Sequence, residues 1–192
     1  MFNDRSSLPA FFATRRSGKP RDMVAPGPDA AQLRHILSAA MRVPDHGKLA
    51  PWRFVVVAPD QRDALVELLQ RAYVEGRPEP GRQELASIEE FARQAPALVV
   101  VISCPDPASK IPVWEQEMSA GAACMNLLAA AHAEGFVGGW LTGWAAYSDT
   151  VRAAFASQGR IAGFLFLGTP GRELQERPRP DYDAVVSAWN PG

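Results

Sequence analysis

A cluster of positive charge near the N-terminus has the residue types that bind phosphate. The segment Arg15–Arg21 carries four cations in seven positions, interrupted by the helix breakers Gly18 and Pro20. Two guanidinium forks, at Arg15 and Arg16, and the hydroxyl of Ser17 can surround a phosphate with hydrogen-bond donors. A solvated basic loop is the other interpretation, and these residues alone leave both open.

A second concentration of polar and ring-bearing side chains lies between Arg42 and Phe54, where a predicted helix joins a predicted strand. Pro44 and Pro51 each fix φ at about −65° and remove a backbone donor, so this connection is stiff. A stiff loop is a good mount for binding groups such as His46. The alternative is an ordinary surface loop with a solvated His46.

The segment Val137–Gly143 has three glycines around Trp140, Leu141 and Thr142. Glycine has no Cβ, so backbone there can lie close to a flat ligand or to another chain. In the alternative interpretation Gly138 and Gly139 form a turn and Trp140 fills the core.

Hydrophobic periodicity and capping residues predict the elements that position these segments. Asp29 is expected to cap a helix that ends near Val43, since the residue before a proline disfavours helical geometry. The continuous apolar run Ala97–Ser103 predicts a strand buried on both faces. A long helix from Trp114 to about residue 135 is apolar all round, so we expect it at the centre with His132 at its exposed end. The other predicted helices cover about 5–14, 61–74, 82–94 and a short stretch from 148, and the other strands 54–58, 137–143 and 160–167.

Length and composition predict one globular domain over residues 1–192. The chain is 47% hydrophobic and 21% charged, as in ordinary soluble proteins. A formal net charge of −1 argues against nucleic acid or an anionic membrane as a partner. The two cysteines suit buried thiols in a reducing compartment, and no apolar run is long enough to span a bilayer, so we expect a cytoplasmic protein.

The last residues, 171–192, are rich in proline but too apolar for a simple disordered tail. Tyr182, Val185 and Trp189 supply the apolar side chains. We expect this extension to wrap over a neighbouring surface, such as that of a partner subunit.

Several familiar sites are missing from the sequence. It contains neither a Gly-x-Gly-x-x-Gly fingerprint nor a P-loop. Its three histidines lack metal-ligand spacing, and no Ser or Cys stands in a recognisable nucleophile motif. We therefore assign no metal site and no catalytic side chain.

Four motifs in one order resemble the nitroreductase family, in particular its small members of the YdjA type. They cover about residues 10 to 170. The motifs are Arg15-Arg16-Ser17, Pro44-Asp-His46 with the following Pro51-Trp-Arg-Phe54, the helix start Trp114-Glu-Gln-Glu-Met-Ser-Ala-Gly121, and the strand Gly163-Phe-Leu-Phe-Leu-Gly-Thr-Pro170.

This resemblance implies an α+β, nitroreductase-like fold with a mixed central sheet flanked by helices, forming a homodimer with FMN at the subunit interface. Arg15, Arg16 and Ser17 would hold the phosphate and ribityl end. Arg42, Pro44, Asp45 and His46 would contact the flavin, with His46 reaching it from the partner subunit. The remaining implied FMN-binding residues are Trp140, Leu141 and Thr142 along the ring, and Arg177 and Arg179 near the phosphate.

The implied activity passes hydride or electrons from NAD(P)H through FMN to small nitroaromatic- or quinone-like acceptors. One alternative keeps the fold and changes the flavin reaction, to a dehydrogenase, a dehalogenase or a flavin-fragmenting enzyme. Another is a flavin-binding protein without useful turnover, and a third is a helical scaffold without flavin.

Overall fold

The computed structural model describes residues 2–191, which form a central sheet with helices on both faces. Within that range the helices are α1 (Leu8–Thr14), α2 (Ala30–Ala40), α3 (Arg62–Gly76), α4 (Arg82–Arg93), α5 (Val113–Ala133), α6 (Trp144–Tyr147), α7 (Asp149–Phe155) and α8 (Tyr182–Val185). The strands are β1 (Met23–Val24), β2 (Trp52–Val57), β3 (Ala97–Ser103), β4 (Val137–Leu141) and β5 (Arg160–Pro170).

The long strand β5 organises the sheet, since it pairs with β1, β3 and β4, and β3 in turn pairs with β2. Val99 of β3 stands opposite Leu165 of β5, and Trp140 of β4 stands opposite the same leucine. Every pair among the five described strands is antiparallel. The expected mixed sheet is therefore wrong, although the α+β class is correct. The strands β3 and β4 do run in the same direction, but β5 lies between them.

Residues of β3 alternate between two hydrophobic clusters. Leu98, Val100 and Ile102 pack in the cluster that includes α3 and α4. Val99 and Val101 pack in the cluster that includes α2 and α5. All five side chains are fully buried, which confirms the prediction of a strand covered on both faces.

The helix α2 begins where the sequence predicts and ends earlier. Asp29 and Gln32 form a reciprocal capping box at its start, as expected for an aspartate N-cap. The last helical residue is Ala40 rather than Val43. The Ala39 carbonyl accepts from the Arg42 N–H at 2.9 Å in a tightened last turn and from Asn126 Nδ2, on α5, at 2.6 Å, so both bonds satisfy it where the helix ends.

The long helix α5 is central, but the expectation for its end is wrong. His132 is only 1% exposed, because β4 and α1 cover the last turn. Its Nε2 accepts a hydrogen bond from the Gly138 N–H at 3.2 Å, and the Phe11 ring lies 6.0 Å from its own.

The expectation of two buried cysteines is correct for Cys124 only, since Cys104 is half-buried. Burial raises the pKa of the Cys124 thiol to about 12.

The described part of the chain contains no helix with the length and apolar character needed to cross a membrane. Beyond β5 the chain is mostly exposed up to residue 191. Part of this C-terminal segment nevertheless returns to the N-terminal region, since Arg16 Nε donates to the Gln175 carbonyl at 2.8 Å.

Candidate functional site

The predicted anion-binding segment lies extended against the start of β4. Asn3 fixes one end through two hydrogen bonds with the backbone of Arg16, its Oδ1 accepting from the N–H at 2.7 Å and its Nδ2 donating to the carbonyl at 3.1 Å. Gly18 fixes the other end, since its N–H donates to the Gly138 carbonyl at 3.0 Å. The backbone between Arg16 and Gly18 is therefore held in place, and its side chains project from an ordered support.

A cleft of about 720 Å³ opens between this segment, β4, α5 and the C-terminal segment. This volume is within the range of small-molecule sites, roughly 300–1,000 Å³. Six cationic side chains line it, and none of its lining residues is Asp, Glu, His or Cys. The cations are Arg15, Arg16, Lys19, Arg21, Arg177 and Arg179. Such a lining suits an anion with several oxygen acceptors.

Arg15 shows how strongly positive the cleft is. Its pKa is lowered, first by partial burial and then by repulsion from Arg179 and Arg16. Like charges held together disfavour the charged form, and Arg179 has this effect on Arg15 although its Nη2 lies 3.3 Å from a Glu176 carboxylate oxygen. A bound phosphate would relieve this repulsion, so the residues fit the phosphate end of a nucleotide.

The other end of the cleft is apolar and backed by glycine. Trp140 and Leu141 line it from β4, and Met125 and Leu128 from α5. The indole Nε1 of Trp140 donates to the Ala162 carbonyl at 2.9 Å, so the ring has a fixed orientation. A Cβ at Gly139 would lie 2.7 Å from the Gly18 carbonyl oxygen. The close approach of the two segments therefore requires glycine at 139.

Arg42, Pro44, Asp45 and His46 do not line this cleft. Their loop packs on α5, where the Ser119 hydroxyl donates to the Pro44 carbonyl at 2.7 Å. His46 Nδ1 lies 2.8 Å from a Glu115 carboxylate oxygen on the same helix. Asp45 accepts from the backbone N–H groups of residues 49 and 50, so its carboxylate organises the loop itself.

Thr142 is also separate from Trp140 and Leu141. It lines a different cavity of about 300 Å³, formed with α3, α4 and the start of α6. Tyr73 and Trp144 form part of its wall, with ring centroids 4.9 Å apart in an edge-to-face contact. The predicted ring-side triplet is therefore divided between two cavities.

Several residues of the cleft were missed by the sequence-based site assignment. Lys19 and Arg21 line the cleft and belong to the same charge cluster as Arg15. Their position in that cluster was enough to predict them as anion-binding residues. Met125 and Gln94 carried no such signal, because only the packing of α5 and of the end of α4 brings them to the cleft. Among residues 2–191 no group of His, Cys, Asp and Glu side chains could hold a metal ion.

Comparison with known proteins shows the family of the chain. The Nitroreductase family model matches residues 13–169. A Haemophilus influenzae protein named "Putative NAD(P)H nitroreductase" is 40% identical over 169 residues, which are 86% of this chain and 89% of that protein. The Escherichia coli protein named "Putative NAD(P)H nitroreductase YdjA" is 38% identical over 150 residues, covering 77% of this chain and 81% of that protein.

Solved structures show the same fold at lower sequence identity. A nitroreductase-like family protein from Bacillus cereus superposes with a TM-score of 0.80 at 21% identity, covering 96% of this chain and 97% of that one. A mutant of the FMN- and NADPH-dependent nitroreductase NfnB, from a Sphingopyxis strain, superposes with a TM-score of 0.70 at 21% identity, covering 92% and 96%. By its sequence and by its fold, the chain belongs to the nitroreductase family.

Proposed function

We propose that the protein binds FMN in the basic cleft and acts as an NAD(P)H-dependent oxidoreductase on nitroaromatic- or quinone-like acceptors. The observation that carries the proposal is the cleft itself, whose lining combines six cations, no acidic side chain and the aromatic ring of Trp140. Its family and the names of its relatives support the same cofactor and reductant.

In this proposal, different residues of the cleft bind the phosphate and the ring of FMN. The guanidinium groups of Arg15 and Arg16 neutralise the phosphate and, with the Ser17 hydroxyl, hydrogen-bond its oxygens. Arg177 and Arg179 close the same end of the cleft from the C-terminal segment. Trp140, Leu141 and Met125 exclude water from the ring end. When bound, FMN supplies the hydride- and electron-transfer chemistry, and the protein positions it.

A homodimer completes the site in this proposal. The first turns of α5 expose two large apolar side chains, Trp114 and Met118, each 60% exposed. Glu115 lies between them and contacts His46, so the loop carrying His46 and Arg42 belongs to the same surface. Exposed apolar surface of this kind is typical of an interface. Pairing through it brings His46 and Arg42 to the partner's flavin.

The test is flavin binding and reduction by purified protein. We expect a yellow holoprotein that is bleached by NADH or NADPH under anaerobic conditions and recoloured by a quinone or nitroaromatic compound. The double substitution Arg15→Ala/Arg16→Ala should weaken FMN binding by about 100-fold or more, because charge-assisted hydrogen bonds are lost. The matched control is Arg71→Ala/Arg82→Ala, which replaces one exposed arginine on α3 and one on α4.

Retention of FMN with wild-type affinity by the Arg15/Arg16 variant would contradict the assigned cleft. A flavin that remains oxidised with both NADH and NADPH would instead favour a flavin-binding protein without this reductase activity. Sedimentation at several concentrations tests the homodimer independently of either result.

A further inference from the structure

The backbone of Gly138 connects the two ends of the cleft to one buried side chain. Its carbonyl accepts from the Gly18 N–H at 3.0 Å, which ties β4 to the phosphate-binding segment. Its N–H donates to Nε2 of His132 at 3.2 Å. Since a ring nitrogen that accepts a hydrogen bond carries no proton, His132 is the neutral tautomer with its proton on Nδ1.

The surroundings of His132 keep it in that state. It is 1% exposed, and Nδ1 has no hydrogen-bond partner among the described residues. Burial first, and then the nearby Arg15 charge, lower its pKa to about 4. The imidazole is therefore an acceptor at neutral pH, and it occupies a buried position without satisfying both of its polar atoms.

The N–H of Gly138 is bonded to His132, at a position where Leu128 of α5 packs closely on the glycine. A Cβ at Gly138 would lie 2.5 Å from Leu128 Cδ2, so any side chain at 138 would require Leu128 to move. The N–H of Gly138 faces α5, and without an acceptor there it would be a buried, unpaired donor. His132 supplies that acceptor from the last turn of α5.

We propose that His132 is a positioning residue for FMN. By accepting from Gly138, it sets the distance between the phosphate end at Arg15–Ser17 and the ring end at Trp140–Leu141. This inference rests on the proposed FMN site, and it goes beyond it by assigning the spacing of the two ends to a residue that lines neither. The geometry requires an acceptor at this point rather than a cation or a donor.

The spacing can be measured by comparing FMN with riboflavin, which has the same ring and no phosphate. The riboflavin dissociation constant divided by the FMN dissociation constant measures how much the phosphate adds to binding when the ring is also bound. In His132→Leu, which keeps a similar side-chain volume and removes the acceptor, the riboflavin-to-FMN ratio of dissociation constants should fall about tenfold or more. In His132→Gln, whose side-chain oxygen can still accept from Gly138, it should stay within about threefold of wild type.

The matched control is His35→Leu, since His35 is an exposed histidine with a side chain 71% accessible. Its riboflavin-to-FMN ratio of dissociation constants should equal that of the wild type. An unchanged ratio in His132→Leu, or an equal loss in the Leu and Gln variants, would overturn the positioning function. If the wild-type protein itself fails to prefer FMN over riboflavin, the proposed phosphate site fails instead.

A second measurement needs no variant and no flavin. Nitrogen-15 NMR of the wild-type apoprotein at pH 7 should show a neutral His132 with the proton on Nδ1. A cationic ring, or a proton on Nε2, would overturn the proposal even if His132→Leu does not fold.

Discussion

The indole of Trp140 lies in the space that a side chain on Gly163 would occupy. A Cβ at Gly163 would be 2.0 Å from the indole Nε1, and that Nε1 donates to the carbonyl of the preceding residue, Ala162. Trp140 is on β4 and Gly163 on β5, so the ring lies across the sheet beside the basic cleft. A glycine on one strand thus determines where an aromatic ring of the next strand can be.

Replacing Gly163 with alanine should therefore move Trp140. The added methyl group forces the indole out of its place and breaks the bond to Ala162, at a cost of about 1–3 kcal/mol in the free energy of unfolding. FMN binding should weaken as well, because Trp140 lines the ring end of the cleft. Urea denaturation and flavin titration measure the two effects.

Gly121→Ala is the control for that substitution. Gly121 lies within α5, and a Cβ there would meet no atom within 4 Å. Alanine in a helix interior should stabilise by about 0.5–1 kcal/mol. If Gly121→Ala and Gly163→Ala changed the free energy of unfolding and FMN affinity equally, the contact between residue 163 and Trp140 would not be the cause of the change.

The buried His132 should make stability depend on pH between about 6.5 and 4. Its pKa is lowered from 6.5 to about 4 in the folded state, so the unfolded chain binds the extra proton first as the pH falls. Its contribution is present above pH 6.5 and is lost progressively down to pH 4. The loss can reach about 3 kcal/mol.

Denaturant unfolding at several pH values would measure this dependence. His132→Gln should remove most of the slope in that window, because glutamine does not titrate. His35→Leu should keep it, since the exposed His35 is not the residue responsible. A wild-type slope that survives His132→Gln would assign the pH dependence to other groups.

Local signals in the sequence predicted the parts of the fold that depend on local interactions. The Asp29 cap and the apolar run Ala97–Ser103 are examples, because each depends on neighbours in sequence or on hydrophobicity alone. His132 was placed wrongly because its burial depends on α1 and β4 packing over the end of α5. The mixed sheet was an implication of the family resemblance, and local patterns could not correct it, because the position of β5 between β3 and β4 is a property of the tertiary arrangement.

The basic cleft was predictable only in part, because some of its residues are neighbours in sequence and others come together only in the folded chain. Arg15, Arg16 and Ser17 are adjacent in sequence, and their chemistry alone indicated an anion site. Arg177 and Arg179 join them from about 160 positions away, through contacts such as that between Arg16 and Gln175. Only the family resemblance pointed to that pair, and nothing in the sequence pointed to Gln94.

Asp45 should be required for the shape of the loop that follows Pro44. Its two carboxylate oxygens accept from the N–H groups of Leu49 at 3.1 Å and Ala50 at 2.8 Å. The loop also contains Lys48 and Ala50 at positive φ, a conformation that needs support from its surroundings. Asp45→Ala should destabilise the protein by about 1–2 kcal/mol and speed proteolytic cleavage within residues 46–50.

Asp60→Ala is the comparison for Asp45, because it removes an exposed carboxylate from the turn before α3 and leaves the loop unaltered. Its stability should be within about 0.5 kcal/mol of wild type. A loop that resists protease equally in Asp45→Ala and in wild type would mean that α5 alone holds it.

The C-terminal segment should contribute to association rather than to the stability of the protomer. Tyr182, Val185 and Trp189 are 71%, 66% and 86% exposed, so their removal costs the isolated fold little apolar contact. Deleting residues 181–192 leaves Arg177 and Arg179 in place. If the segment wraps the partner subunit, the deletion should raise the dimer dissociation constant by about tenfold or more, because the apolar area of several side chains is lost from the interface.

Sedimentation velocity over a range of concentrations measures that change, and thermal unfolding at high concentration monitors the protomer. Substituting Trp189 alone with serine separates a specific contact from a general effect of length. Because Trp189 is the largest and most exposed of the three, it should account for much of the loss if it inserts into the partner. A deletion variant that dimerises as tightly as the full chain would show that the segment lies free of the interface, with the exposed turns of α5 carrying the association alone.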